Sequence, residues 1–253
     1  MKFYSLASGS TGNSFLIDNG CELLLIDVGI SYAKLKEKLD DLGYDINKIK
    51  YILITHVHND HIKSLNSFSM DKVYSCAKIP GLKNEIDKTN ECILGSYKIQ
   101  PYPLSHDVPC FGYRIESENE SLVYLTDTGY VNFKIKKYLK NATYYIFESN
   151  HDVNMLMDSS RPSFLKSRIL SDKGHLSNED ASEILYESIG DETKEIYLAH
   201  ISRDCNKKEL AYNTLIKTFN TYNFDYSKLI IKTLDMEEIL KGGNLDEKSF
   251  ISV

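Results

Sequence analysis

Four potential metal ligands fall within six residues in Thr55-His56-Val57-His58-Asn59-Asp60-His61, directly after the apolar run Tyr51-Ile52-Leu53-Ile54. The pairing of a short apolar run with such a cluster points to a buried strand that ends in a polar site. Alternate side chains of an extended chain face the same side, so His56 and His58 can chelate one ion. Asp60 and His61 follow where the chain turns away and face a second position. Neutral imidazole and carboxylate suit zinc and manganese, and iron as well. Three of the chain's seven histidines lie in this stretch, a crowding that an ordinary solvated loop would not show.

The same grammar recurs. Leu23-Leu24-Leu25-Ile26 ends in Asp27, the run over 97–104 ends in Ser105-His106-Asp107, and Leu122-Val123-Tyr124-Leu125 precedes Thr126-Asp127. Tyr144-Tyr145-Ile146-Phe147 leads into Glu148-Ser149-Asn150-His151-Asp152, and Ile196-Tyr197-Leu198-Ala199 into His200. Continuous apolar runs of this length suit strands covered on both faces, and α/β architectures place their sites at the carboxyl ends of such strands. Helices are expected over 31–42, 177–189 and 207–220, the second opened by Ser177 with Asp180 three residues on. A further strand is expected at Leu229-Ile230-Ile231-Lys232. Near the amino terminus, strands over 3–7 and 15–17 flank the polar tip Ser8-Gly9-Ser10-Thr11-Gly12-Asn13-Ser14. A strand rather than a helix follows that tip, so it is not a P-loop; its residues serve the turn, or touch substrate through Ser10 and Asn13.

At 253 residues and 42% hydrophobic content the chain can bury a substantial core. With no internal repeat and no Pro- or Ser-rich linker, one domain over 1–253 is the simpler expectation, with 246–253 as a loose tail. The net charge of −6 argues against a protein that coats nucleic acid through a globally basic face, and leaves room for a local basic groove. Such a groove could draw on Arg161, Lys166, Arg168 and Lys173, which otherwise read as one solvated helix face. Five cysteines without a C-x-x-C pair, no signal peptide and no apolar run near the roughly 20 residues of a membrane span suggest a cytoplasmic protein. Oligomeric state is not written in these patterns.

Together the strand-end residues make two coordination shells. His56, His58, His106 and Asp127 would hold one divalent ion; Asp60, His61, His200 and the same Asp127 would hold another. Such a pair lowers the pKa of a bridging water to about 7 and clamps the oxygens of a phosphodiester or acyl group, which implies hydrolysis. The catalytic assignments fall on Asp60 and on His175, which has no vacancy in either shell and can protonate a leaving group or else donate a structural hydrogen bond. His151 touches substrate or supports a ligand. Asp27 and Glu148 are read as carboxylates that hold ligating histidines in place.

The series His56-x-His58-x-Asp60-His61, His106, Asp127 and His200 resembles the motifs of the metallo-β-lactamase superfamily. That resemblance implies an α/β fold, the four-layer αβ/βα sandwich of two mixed β-sheets flanked by helices, with a dinuclear centre at the sheet edges. Ser8-Gly9-Ser10-x-Gly12-Asn13-Ser14, Gly174-His175-Leu176-Ser177-Asn178 and Leu198-Ala199-His200-Ile201-Ser202-Arg203-Asp204-Cys205-Asn206 are more specific and look like its bacterial YycJ branch. The branch implies a metal-dependent nuclease, a 5′-to-3′ DNA exonuclease, with nucleic acid as substrate. The spacing from His175 to His200 is similar to the paired histidines of ribonuclease Z, where the first assists phosphodiester cleavage. The interval from Asp127 to His200 is too short for a β-CASP insertion. Two rivals stand beside the nuclease: a small-molecule hydrolase acting on a thioester or cyclic phosphodiester, and a regulatory binding protein of the same fold.

Overall fold

The structure is a computed structural model that describes residues 1–243, so the tail expected over 246–253 lies outside the described residues. The strands, in chain order, are β1 (Lys2–Ala7), β2 (Ser14–Asp18), β3 (Leu23–Ile26), β4 (Ile49–Ile54), β5 (Val73–Ser75), β6 (Asn84–Glu85), β7 (Cys92–Leu94), β8 (Tyr97–Leu104), β9 (Cys110–Ser117), β10 (Glu120–Leu125), β11 (Tyr144–Glu148), β12 (Glu195–Ala199), β13 (Ile230–Thr233) and β14 (Leu240–Gly243). The helices are α1 (Tyr32–Asp41), α2 (Asn59–Ile62), α3 (Phe133–Leu139), α4 (Val153–Asp158), α5 (Ser163–Ile169), α6 (Asn178–Ser188) and α7 (Lys208–Thr221). Two seven-stranded mixed sheets result, ordered β14-β1-β2-β3-β4-β5-β6 and β13-β12-β11-β10-β9-β8-β7.

Alternation within each strand explains why the apolar runs are continuous. Leu24, Ile26 and Leu53 enter the core between the sheets, while Leu25, Ile52 and Ile54 pack outward with Leu35 and Leu39 of α1. In the second sheet Leu122, Tyr124, Tyr144, Ile146 and Tyr197 point inward, whereas Val123, Leu125, Tyr145, Phe147 and Leu198 meet Ile135, Leu185 and Leu215 of the outer helices. Both faces of both sheets are covered, giving the four layers that the runs require. Ser31 and Ser177 cap α1 and α6 through their hydroxyls, as the expected helix starts demand.

Functional segments leave the carboxyl ends of β3, β4, β8, β10, β11 and β12 at one rim of the sandwich. Three residues there have left-handed backbones: Asp27 (φ 57), Asp127 (φ 64) and His200 (φ 56). A non-glycine residue in that region costs about 1–3 kcal/mol and persists only where its surroundings fix it. At His200 the fixing is visible: its N–H donates to Ser8 Oγ (2.9 Å) and its carbonyl accepts from Asn150 Nδ2 (2.9 Å).

The Ser8–Ser14 tip forms a backbone clamp on the ligand loop. Asn13 N donates to the Asp60 carbonyl, Gly29 N to the Asn13 carbonyl and Val28 N to the His61 carbonyl, each at 2.8 Å. The chains lie so close that a Cβ at Gly29 would stand 1.6 Å from the Asp60 carbonyl oxygen. Gly29→Ala should therefore destabilise the fold by at least about 2 kcal/mol and displace Asp60 and His61. Thermal unfolding together with metal content checks this, and an unchanged melting temperature would contradict the clamp.

Candidate active site

On the first sheet one buried carboxylate organises the ligand loop. Asp27 accepts from Thr55 N (2.9 Å) and Thr55 Oγ1 (2.9 Å) and lies 2.7 Å from His61 Nδ1. Thr55 Oγ1 in turn lies 3.0 Å from His56 Nδ1. With both Nδ1 edges occupied, His56 and His61 turn their Nε2 edges toward the rim. There His56 Nε2 is 3.1 Å from His58 Nδ1, and His106 Nε2 from the second sheet is 3.4 Å from the same atom. His61 Nε2 sits 3.2 Å from Asp127 Oδ2 and 3.6 Å from Asp60 Oδ2.

On the second sheet Glu148 plays the corresponding part. Its Oε1 lies 2.8 Å from both His175 Nδ1 and His200 Nδ1, and its Oε2 accepts from Thr128 N (3.0 Å) and Leu176 N (3.3 Å). Asp127 Oδ1 is 3.5 Å from His200 Nδ1 and 3.7 Å from His175 Nδ1. His175 reaches this position because 148–152 runs beside 175–178: Asn150 N donates to Leu176 O (3.0 Å) and Asn178 N to His151 O (2.8 Å). Gly174 lets that turn press on the end of α5, where a Cβ would meet the Ile169 carbonyl oxygen at 2.0 Å.

The donor atoms gather as His56/His58/His106, His56/His61/Asp127, Asp60/His61/His200 and Asp127/Glu148/His175/His200. Two buried atoms among them, Asp127 Oδ2 and His200 Nε2, have no hydrogen-bond partner. Imidazole nitrogens facing one another beside an unsatisfied carboxylate oxygen are what a divalent cation would satisfy, so these residues fit one. The electrostatics agree. Burial, and then the neighbouring His61, pushes His56 down to about 2, and burial lowers His106, leaving both as neutral imidazole, the ligand form. Burial works against ionising Asp127 and Glu148; even so, His200 holds Asp127 well below the usual range, and His175 and His200 hold Glu148 at about 2. His200 is buried too, yet Asp127 and Glu148 raise it to about 9.

Other residues named from the sequence are placed as follows. Ser10 is exposed at its loop tip. Asn13 is buried, its carboxamide tied to Gly9 N (3.0 Å) and Gly9 O (3.1 Å) with Nδ2 3.0 Å from His61 Nε2, so it faces the ligand shell from inside. His151 is also buried, with neither ring nitrogen hydrogen-bonded, and burial lowers it to about 4. Lys166 donates to the Met157 carbonyl, and Arg161 pairs with Asp204 at 2.9 Å. Of these three cations only Arg168 reaches the site: its guanidinium is 3.3 Å from Asp107, whose other oxygen is 3.2 Å from His58 Nε2 and 3.3 Å from His106 Nε2. Sequence reading missed Asp107 as this link, although its place directly after His106 was a signal. It also missed a buried knot in which Asn178 Oδ1 accepts from Ser149 Oγ (2.7 Å) and Asn206 Nδ2 (2.8 Å).

Comparison with known proteins is consistent with this site. Residues 7–69 match the model of the metallo-beta-lactamase superfamily, and residues 81–201 that of the beta-lactamase superfamily domain. The exodeoxyribonuclease WalJ of Streptococcus pneumoniae serotype 2 is 37% identical over 234 residues, covering 85% of this chain and 87% of the relative. The chain belongs to the metallo-β-lactamase superfamily. Exodeoxyribonuclease YycJ of Bacillus anthracis is 38% identical over 228 residues, 83% of this chain and 86% of that one. Among solved structures, the metallo-β-lactamase fold protein YhfI from Bacillus subtilis superposes with a TM-score of 0.67 at 20% identity, over 95% of this chain and 99% of that one. The short form of human tRNase Z gives 0.63 at 15%, over 95% and 98%. The metallo-β-lactamase superfamily implies divalent metal ions, which the donor set fits.

Protons and cations compete for that set. In the metal-free protein His200 keeps its proton between its ordinary 6.5 and about 9, and Asp27 and Asp127 overcome burial to raise His61 well above 6.5. An incoming cation displaces those protons, so metal affinity should climb as pH rises from neutrality through about 9, where His200 gives up its proton. Calorimetry in buffers of different ionisation enthalpy should record net proton release at neutral pH; zero release would contradict this charge state.

Proposed function

We propose that the chain is a cytoplasmic DNA exonuclease of 5′-to-3′ polarity that hydrolyses phosphodiesters with two divalent cations, zinc or manganese. His56, His58, His106 and Asp127 would hold one, and Asp60, His61, His200 and Asp127 the other. Bound there, the cations supply Lewis acidity toward a phosphoryl oxygen and a water of lowered pKa. The protein supplies the rest. Asp60, partly open to solvent, orients the entering water. Arg168, anchored by Asp107 beside His58 and His106, offers a guanidinium to a phosphate oxygen at the mouth.

The observation that carries the reading is the shared Glu148 oxygen, 2.8 Å from the Nδ1 atoms of His175 and His200. By accepting from His175 Nδ1–H, Glu148 orients that ring with Nε2 outward, where the doubly protonated imidazolium can hand its Nε2 proton to the departing alcohol oxygen and return to the neutral ring. A residue placed only to bind metal would not need its outer edge matched to that of a neighbouring ligand. The identities to exodeoxyribonucleases WalJ and YycJ support DNA as the substrate.

His175→Ala should retain metal and fold while losing about 10²–10⁴-fold in turnover, whereas Asp127→Asn should lose metal and activity together. Metal analysis beside cleavage of end-labelled oligonucleotides reads both. Metal-loaded wild type that is inert on single- and double-stranded DNA with free ends would sink the proposal.

A further inference from the structure

Helix α5 is fastened directly to the site. His175 N donates to the Ile169 carbonyl (3.0 Å) at its last turn, and the Gly174 carbonyl lies 3.3 Å from His106 Nδ1. Leu165 and Ile169 turn inward onto Leu156 and Cys205, which sets the rotation of the helix about its axis. Phe164 and Arg168, four residues apart, share the neighbouring face with about 5–6 Å between their Cβ atoms. Arg168 is the residue that meets Asp107 beside His58 and His106. Phe164 therefore stands one helical turn from the mouth of the site, and it is 76% exposed.

Charge divides the surroundings of that mouth. Behind the turn that carries His175, a cavity of about 400 Å³ is lined by Asp172, Asp180, Glu183 and Glu187, and its lysine, Lys136, is already paired with Glu187. A polyanion is repelled from that side. The α5 segment, Ser163-Phe164-Leu165-Lys166-Ser167-Arg168-Ile169, carries two cations and no carboxylate. A nucleic-acid strand with one phosphate at the ligand cluster is thus favoured to lie over α5, where an aromatic face is open. A single exposed phenylalanine is ordinary on a protein surface. This one shares a helix face with the guanidinium that borders the ligands, and that placement gives the ring a partner in the substrate.

We infer that Phe164 stacks on a base flanking the scissile phosphate while Arg168 takes an oxygen of that phosphate, so that α5 grips the substrate end at two points. This rests on the proposed nuclease function and goes beyond it by naming a contact to the base. One helical turn is about the span from a phosphate to a base beside it. A nucleotide must leave its own stack for its phosphate to reach ligands held at the rim, and an aromatic ring returns part of the stacking that is lost. Every base has such a face, so the contact suits an enzyme that removes nucleotides whatever their sequence.

End-labelled DNA oligonucleotides, one with intact bases and one with abasic residues on both sides of the first bond cut, test this on the metal-loaded full chain. Wild type should cleave the intact end with a kcat/KM about tenfold higher than the abasic end. Phe164→Ala should bring the intact end down to the abasic level, and Phe164→Trp should restore the difference. Arg168→Ala should slow both ends by the same factor, because its contact is to phosphate. Phe164 is open to solvent, so the fold should survive its removal, as an unchanged melting temperature would show. Equal cleavage of the two ends by wild type, or an equal loss on both in Phe164→Ala, would overturn the stacking contact. So would undiminished discrimination in Phe164→Ala, and a change in sedimentation beside it would assign the ring to a second copy of the chain. Wild type inert on both ends would instead sink the nuclease reading itself, and the contact with it.

Discussion

Asp27, Asp127 and Glu148 are carboxylates taken out of water at the rim of the sandwich, and the arrangement around them follows from making that tolerable. An isolated buried carboxylate is strongly disfavoured, so each must be met by hydrogen bonds and positive charge. Asp27 takes two bonds from Thr55 and the Nδ1 edge of His61; Glu148 takes two backbone N–H groups and the edges of His175 and His200. What satisfies the carboxylates also aims the imidazoles. Asp127, with one oxygen unsatisfied, is the exception, and its deficit marks where a cation belongs.

Holding these groups in register needs strain and fastening elsewhere. The left-handed backbones of Asp27, Asp127 and His200 turn the chain off the sheet within one or two residues, which keeps the ligands at the rim. Packing alone would not keep them there. The polar knot of Ser149, Asn178 and Asn206 fastens the turn carrying Glu148 to the start of α6 and to the segment after His200. Because the knot is buried and fully paired, loosening one member would strand the others without partners.

Much of this was legible because its signals are local. Apolar runs ending in Asp27, His56, His106, Asp127, Glu148 and His200 announced both the double-faced strands and the convergence at their ends, and the helix starts at Ser31 and Ser177 carried their own caps. Motif spacing, read through the family resemblance, supplied the four-layer arrangement. What stayed hidden depends on contacts between distant segments. The Ser8–Ser14 tip, with its glycines and hydroxyls, offered either a turn or a substrate contact, whereas its main work is backbone bonding to Asp60 and to Gly29. A sequence does not show which carbonyl a loop will meet. Likewise Arg161, Lys166 and Arg168 looked alike as charges on one stretch, and only the fold separates Arg168, within reach of Asp107, from the other two.

The site is also a seam. The first sheet contributes His56, His58, Asp60 and His61; the second contributes His106, Asp127, Glu148, His175 and His200. At the rim polar links bridge the halves: Phe111 N donates to the Thr55 carbonyl (3.2 Å), Tyr113 Oη to the Ile54 carbonyl (2.7 Å) and His200 N to Ser8 Oγ (2.9 Å). Away from the rim further directional bonds join the sheets: Tyr97 Oη donates to the Glu22 carbonyl (2.5 Å), Tyr197 Oη to the Lys241 carbonyl (3.3 Å) and Gly243 N to the Glu195 carboxylate (3.2 Å). Cations held at once by His56 and His106, or by His61 and His200, would add to these links at the rim itself. The buried tyrosine hydroxyl of Tyr113, bonding across the seam just below His56, acts in the same sense: it prearranges the two rims so that little reorganisation remains when a cation binds.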